Sequence, residues 1–522
     1  MDIRPDRRGV LAGLALGATA THAFAQERAA PVATTLYGRV RGYEERGIKV
    51  FKGVRYGADT APRRFQPALS PEPWSDVADA AQYGPASPQT RAREAVSEDC
   101  LFLNVWTPDL DAERRPVMVY VHGGAHAHGS GSSPLYDGVN LARRGDVVVV
   151  TLNHRLNVFG YGYLARLSGP EMAASGNVGN LDIVMALEWV RDNIAAFGGD
   201  PDNVTAFGQS GGGGKLVTLM ATPAARGLFH RVATMSGQHV TAMGPQHATR
   251  RMVAYMANLG LEPDQVDALR TLPAERLVEA LDMPDPLERG GLTLWSVVDH
   301  HVLPRHPFYP DAPRESAHIP MIIGNTHDET RAFLGGDERN FHLTWDELPA
   351  RLGPEMVVDL APEFVVARYR ELYPHYSPSD VFFAASTAGR SWRGHLIQAE
   401  ERARIGAPAF MYQLDFGSPE DGGRRGAFHS FDIPLVFDNL DKPGSRTGQG
   451  QEARAVAHQM SEAFIAFART GDPNTAEIPH WTPYELDRRS TMIFDVASRM
   501  ENDPRGEERR LFAVAPYLKP GT

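Results

Sequence analysis

Val204-Thr205-Ala206-Phe207-Gly208-Gln209-Ser210-Gly211-Gly212 decides the reading of this chain. Its first four residues form a short strand-like run, and the residues after it carry G-x-S-x-G ahead of a helix-compatible segment. The pentapeptide alone is weak, because a glycine-rich turn with an ordinary serine reads the same; the strand before it changes the odds. A sharp strand-to-helix turn would hold Ser210 in a strained conformation, flanked by glycines because any Cβ would strike the neighbouring strand or helix. The hydroxyl would stand above the carboxyl edge of a sheet, at a helix N-terminus whose dipole favours a developing negative charge.

Outward from this turn, β-branched runs alternate with helical patterns from Pro116 onward, which predicts an α/β chain with a mainly parallel central sheet and helices on both faces. The predicted strands are Val117–Val121, Val147–Thr151, Val204–Phe207, Val232–Met235, Met321–Ile323, Phe410–Leu414 and Met492–Phe494. Leu181, Val184, Leu187, Val190, Ile194 and Phe197 recur at helical spacing, and Gly198-Gly199-Asp200-Pro201 reads as a helix stop. Val456, Met460, Phe464 and Phe467 predict a last long helix before Gly471-Asp472-Pro473. Residues 240–320 and 330–405 read as helical, irregular insertions of the kind that wall a pocket.

At 522 residues and 42% hydrophobic, the chain can bury a large core; no repeat or composition break divides it, so residues 26–522 are read as one α/β domain. Residues 1–25 read as an export signal: Arg7-Arg8, an apolar run from Gly9 to Ala20, and the cleavage pattern Ala23-Phe24-Ala25. The paired arginines resemble a twin-arginine signal, and the run is too short to span a bilayer. A periplasmic or extracellular enzyme follows. The net charge of −11, with no basic cluster, argues against nucleic acid and anionic membrane as partners. Cys100 is the single cysteine, so no intrachain disulfide can form.

Five segments resemble type B carboxylesterases, the esterase and cholinesterase branch of the α/β-hydrolases. They are Ser97-Glu98-Asp99-Cys100-Leu101-Phe102-Leu103-Asn104-Val105; His122-Gly123-Gly124-Ala125; Asn153-His154-Arg155-Leu156; the run from Gly176-Asn177 through Phe197-Gly198-Gly199-Asp200-Pro201 to Ser210; and Gly471-Asp472-Pro473-Asn474. The resemblance, which extends to fumonisin-esterase-like members, implies an α/β-hydrolase fold, serine ester hydrolysis, a small-molecule ester substrate, and no metal or cofactor. It implies Ser210 as nucleophile and Gly124, Ala125 and Gly211 as backbone donors to an oxyanion, with Ala125 standing where the family usually has glycine. The triad order serine, acid, histidine points to Glu329 in Asn325-Thr326-His327-Asp328-Glu329, with Asp328 as the alternative, and to His429 in Gly426-Ala427-Phe428-His429. Ser236 matches a serine that supports the acid in look-alike enzymes.

The substrate is less legible. Thr90 stands where cholinesterases carry a tryptophan, which argues against a choline ester; Gln209 stands where they have an acidic residue before the nucleophile. His126, His128, His154 and Lys215 place four basic groups near the oxyanion turn and the nucleophile. They suggest an acyl group bearing extra carboxylates, such as a tricarballylate ester of the fumonisin type; a general short-chain carboxylesterase is the plainer reading. Two other classes remain open: a cholinesterase-like binding module, and amidase, thioesterase or lactonase chemistry on the same triad. The sequence leaves the oligomeric state open.

Overall fold

The computed structural model describes residues 30–517 apart from Arg91, Arg93 and Arg289; the export-signal segment lies outside the described residues. Runs such as Val117–Val121 are apolar on both sides, so they can be buried only in a sheet covered on both faces. They form the centre of an eleven-stranded sheet. Its strands are β1 (Tyr43–Glu45), β2 (Ile48–Arg55), β3 (Phe102–Thr107), β4 (Arg115–Val121), β5 (Val148–Leu152), β6 (Gly199–Gln209), β7 (Arg231–Met235), β8 (Met321–Thr326), β9 (Ala409–Leu414), β10 (Ser490–Phe494) and β11 (Arg499–Asn502). They lie in the order β11-β10-β9-β8-β7-β6-β4-β5-β3-β2-β1.

The seven strands expected from the sequence are β4 to β10, and these are the parallel block. The other four were not anticipated, and each pairs antiparallel. β6 also begins earlier than expected, at Gly199. The β4–β6 register slips between Arg115 and Val117, opposite the stretch that contains Pro201, where a missing N–H breaks no regular ladder.

Alternation sorts the strands between two cores. Val117, Val119 and Val121 face one side and pack with Leu187, Val190, Ile194 and Phe197 of the predicted helical face. Met118 and Tyr120 face the other, against Val456, Met460, Phe464 and Phe467. The helix carrying that predicted face, α1 (Val178–Asn193), continues as a 3-10 turn to Phe197 and ends at Gly198 with φ 73°. The last long helix, α3 (Gln451–Thr470), ends at Gly471 with φ 84°. Both ends use the left-handed conformation that glycine adopts without a Cβ penalty. Residues 240–320 and 330–405 carry helices such as Pro245–Asn258, Pro362–Leu372 and Arg393–Arg404, as expected. No helix among the described residues is long and apolar enough to cross a membrane.

Candidate active site

Ser210 sits between β6 and the helix α2 (Gly211–Leu219), at φ 55° and ψ −126°. Its N–H donates to Met235 O at 2.7 Å, which pins the turn to β7. Glycine is obligatory beside it: a Cβ on Gly212 would come within 1.9 Å of Val121 O, and one on Gly211 within 2.1 Å of Ala125 O. These approaches hold α2 against the ends of β4 and β6, and leave Ser210 half-buried rather than enclosed.

The chain leaving β4 turns over the same point. A Cβ on Gly123 would lie 3.2 Å from Cβ of Ser210. Gly124 and Ala125 both take positive φ, 87° and 54°. Gly124 O accepts from the N–H groups of Ala127 and His128, at 3.2 and 3.1 Å, which closes the turn. Among the described residues, the N–H groups of Gly124, Ala125 and Gly211 enter none of the turn, loop or cap hydrogen bonds. Ala125 is exposed, so this edge of the turn faces open space.

Glu329 follows β8 and is fully buried. Its Oε1 accepts from Ser236 Oγ at 2.5 Å and from Thr326 N at 3.0 Å, while Oε2 pairs with Nδ1 of His429. Burial alone would raise the Glu329 carboxyl; His429, and more weakly His395 and Ser236, hold it below the usual range. Asp328 faces elsewhere. Its N–H donates to Ala427 O at 2.9 Å, its Oδ2 accepts from Ala427 N–H at 3.0 Å, and its Oδ1 meets Arg331 at 3.2 Å. Glu329 rather than Asp328 is therefore the carboxylate on His429.

With Nδ1–H turned to Glu329, Nε2 of His429 is an acceptor. It takes its hydrogen bond from Nε2 of Gln209, at 3.1 Å. Among the described residues no hydrogen bond links Ser210 Oγ to His429; the imidazole is bonded to the residue next to the serine instead. Phe333 packs tilted against the same imidazole at 4.8 Å between ring centres, is 47% exposed, and has the Arg390 guanidinium over its ring at 5.1 Å.

Of the four basic groups, three are buried. Lys215, His154 and His126 are 0%, 1% and 2% exposed, so burial leaves them no surface to offer an acyl carboxylate. Lys215 Nζ donates to Ala125 O at 2.7 Å. His154 stacks on His122 at 4.8 Å, and His126 lies against Tyr161 and 3.3 Å from Ser296 Oγ. Burial, with Lys215 adding to it, pushes His122 down to about 3 and His154 well below its ordinary value. They underpin the turn as neutral rings. His128 is half-buried.

Other residues at the site were missed. Asp432 is fully buried, accepts from Tyr412 Oη at 2.8 Å, and is pushed up to about 6 by burial. His395 is buried beside the Glu329–His429 pair and is pushed down to about 4. Asp432 follows His429 by three residues, so proximity in sequence was a usable signal; His395 carried none.

Known proteins similar to this chain share one family. Residues 29–512 match the family model described as the carboxylesterase family. The para-nitrobenzyl esterase of Bacillus subtilis (strain 168) is 36% identical over 498 residues, covering 92% of this chain and 98% of its own. The fumonisin B1 esterase of Sphingopyxis macrogoltabida is 31% identical over 493 residues, covering 90% and 88%. The crystal structure of a Geobacillus stearothermophilus carboxylesterase superposes with a TM-score of 0.83 at 38% identity, covering 92% and 99%.

Proposed function

The chain belongs to the carboxylesterase family and is a carboxylic ester hydrolase; from that premise we propose that it works through an acyl-enzyme formed on Ser210. The observation that carries this reading is the pairing of His429 Nδ1 with Glu329, which leaves the Nε2 lone pair one residue from the serine hydroxyl. A hydroxyl is a poor nucleophile at neutral pH and needs such a base, and the base needs a carboxylate to fix its tautomer. In this reading the Gln209 amide gives up Nε2, which then accepts from Ser210 Oγ while Nδ1 stays on Glu329.

In the proposed cycle Ser210 Oγ attacks the ester carbonyl carbon while its proton passes to His429 Nε2. The N–H groups of Gly124, Ala125 and Gly211 receive the oxyanion, each contributing roughly 3 kcal/mol to the tetrahedral intermediate. His429 then gives its proton to the leaving alcohol, and a water deprotonated by the same imidazole releases the acid. Protein groups and water suffice for every step. The predicted kinetic signature is a burst of alcohol equal to the enzyme concentration when deacylation is the slower step. Ser210→Ala and His429→Ala should each lower kcat by about 10⁴-fold or more with the fold unchanged. Steady turnover by Ser210→Ala within about tenfold of the parent would remove the reading.

Simple neutral esters are the proposed substrate class. The polycarboxylate alternative rested on four basic groups near the oxyanion turn, and three of them are buried. The fumonisin B1 esterase is a relative, but the para-nitrobenzyl esterase is the more similar of the two. A butyrate ester should be cleaved with higher kcat/KM than a tricarballylate ester; the reverse preference would restore the alternative. Residues 1–25 are proposed to direct export to the periplasm or beyond.

A further inference from the structure

Lys215 is the structural oddity of this site. Lysine is almost never fully buried unless a carboxylate pairs with it. Here the side chain is 0% exposed, and among the described residues no salt bridge reaches it. The titratable groups around it are the neutral imidazoles of His122 and His154. Its Nζ bonds backbone only, Ala125 O at 2.7 Å and, more distantly, His122 O at 3.5 Å. The residue it grips is the one in the turn that needs a clamp. Ala125 holds φ 54°, a conformation that disfavours an L side chain, and its carbonyl is pressed against Gly211.

We propose that Lys215 is a positioning residue for the oxyanion turn: by anchoring the Ala125 carbonyl to the nucleophile's own helix, it fixes the turn's donors relative to Ser210. Lys215 stands five residues after Ser210 on α2, so serine, Gly211 N–H and the clamp on Ala125 belong to one rigid piece. The turn's free N–H groups are held by this link rather than by contact with substrate. An amine in either protonation state carries an N–H, so the clamp survives titration of the group. The inference rests on the acyl-enzyme reading above, because a turn with no oxyanion to bind would need no such registration.

The test compares the parent enzyme with Lys215→Met, which removes the donor, and Lys215→Gln, which keeps a shorter one. The readouts are kcat and KM for a butyrate ester, and Ki for an alkyl trifluoromethyl ketone. Ser210 Oγ adds to that ketone's carbonyl carbon, its proton passing to His429, to give a hemiketal whose oxyanion occupies the turn. Lys215→Met should lower kcat by about thirtyfold or more, with KM within about twofold, and raise Ki by a similar factor. Lys215→Gln should recover part of both losses together. If Lys215→Met does not fold, proportional losses in kcat and ketone affinity in Lys215→Gln carry the test. A folded Lys215→Met with kcat within about threefold of the parent overturns the proposal, as does a fall in kcat with ketone affinity unchanged in either variant. A parent enzyme indifferent to the ketone, or an active Ser210→Ala, overturns the acyl-enzyme reading instead.

Discussion

Glu329 and Asp328 are adjacent in the chain and hold different things, the first the imidazole and the second the loop that carries it. Glu329→Gln is expected to lower kcat by roughly 10³–10⁴-fold, because an amide does not fix the required tautomer. Asp328→Asn keeps an acceptor for Ala427 and should cost less than about tenfold in the same butyrate assay. Lys215 makes a second prediction. Burial pushes its amine from an ordinary value of 10.5 down to about 7. Between those values the unfolded chain holds a proton that the folded chain has released, so raising the pH favours the folded state. The stability of the parent relative to Lys215→Met should therefore rise between about pH 7 and 10 in denaturant titrations; a flat or falling difference contradicts the burial argument. At this scale the sequence named Ser210, Glu329 and His429 but gave no sign that Lys215, His154 and His126 are buried, because a histidine or lysine reads the same whether its side chain turns toward solvent or beneath the backbone.

Elements explain which parts of the fold could be read in advance. β4 and β5 are buried along their whole length, and their unbroken apolar runs need no tertiary information to be recognised. The antiparallel edges lack that signature. β1 is Tyr43-Glu44-Glu45 and β11 is Arg499-Met500-Glu501-Asn502, short and charged as edge strands often are, so pattern reading passes over them. The Asn153-His154-Arg155-Leu156 segment after β5 was legible only as a family resemblance, and the structure supplies its physics. Arg155 pairs with Asp182 of α1 at 2.6 Å in a buried ion pair, and also donates to Gln66 O. Arg155→Met would leave Asp182 buried and unpaired, and should destabilise the protein by about 3–5 kcal/mol, read as a lower denaturant midpoint. Loss of less than about 1 kcal/mol would show that water replaces the guanidinium.

The described residues combine one long sheet and a small three-stranded one, two main cores sorted by strand alternation, and a site at the carboxyl ends of β4, β6 and β8. If residues 1–25 direct export, the protein recovered outside the cytoplasm should begin at Gln26, which N-terminal sequencing reads directly; an intact Met1 on that material contradicts it. The central claim is that one serine, activated by His429 held on Glu329, carries the chemistry. It is tested most directly by treating the folded enzyme with a dialkyl p-nitrophenyl phosphate and locating the adduct by peptide mass spectrometry. The account predicts one adduct per chain, on Ser210, formed in step with loss of esterase activity and strongly slowed in His429→Ala. An adduct on another residue, or activity that survives full labelling of Ser210, would contradict it.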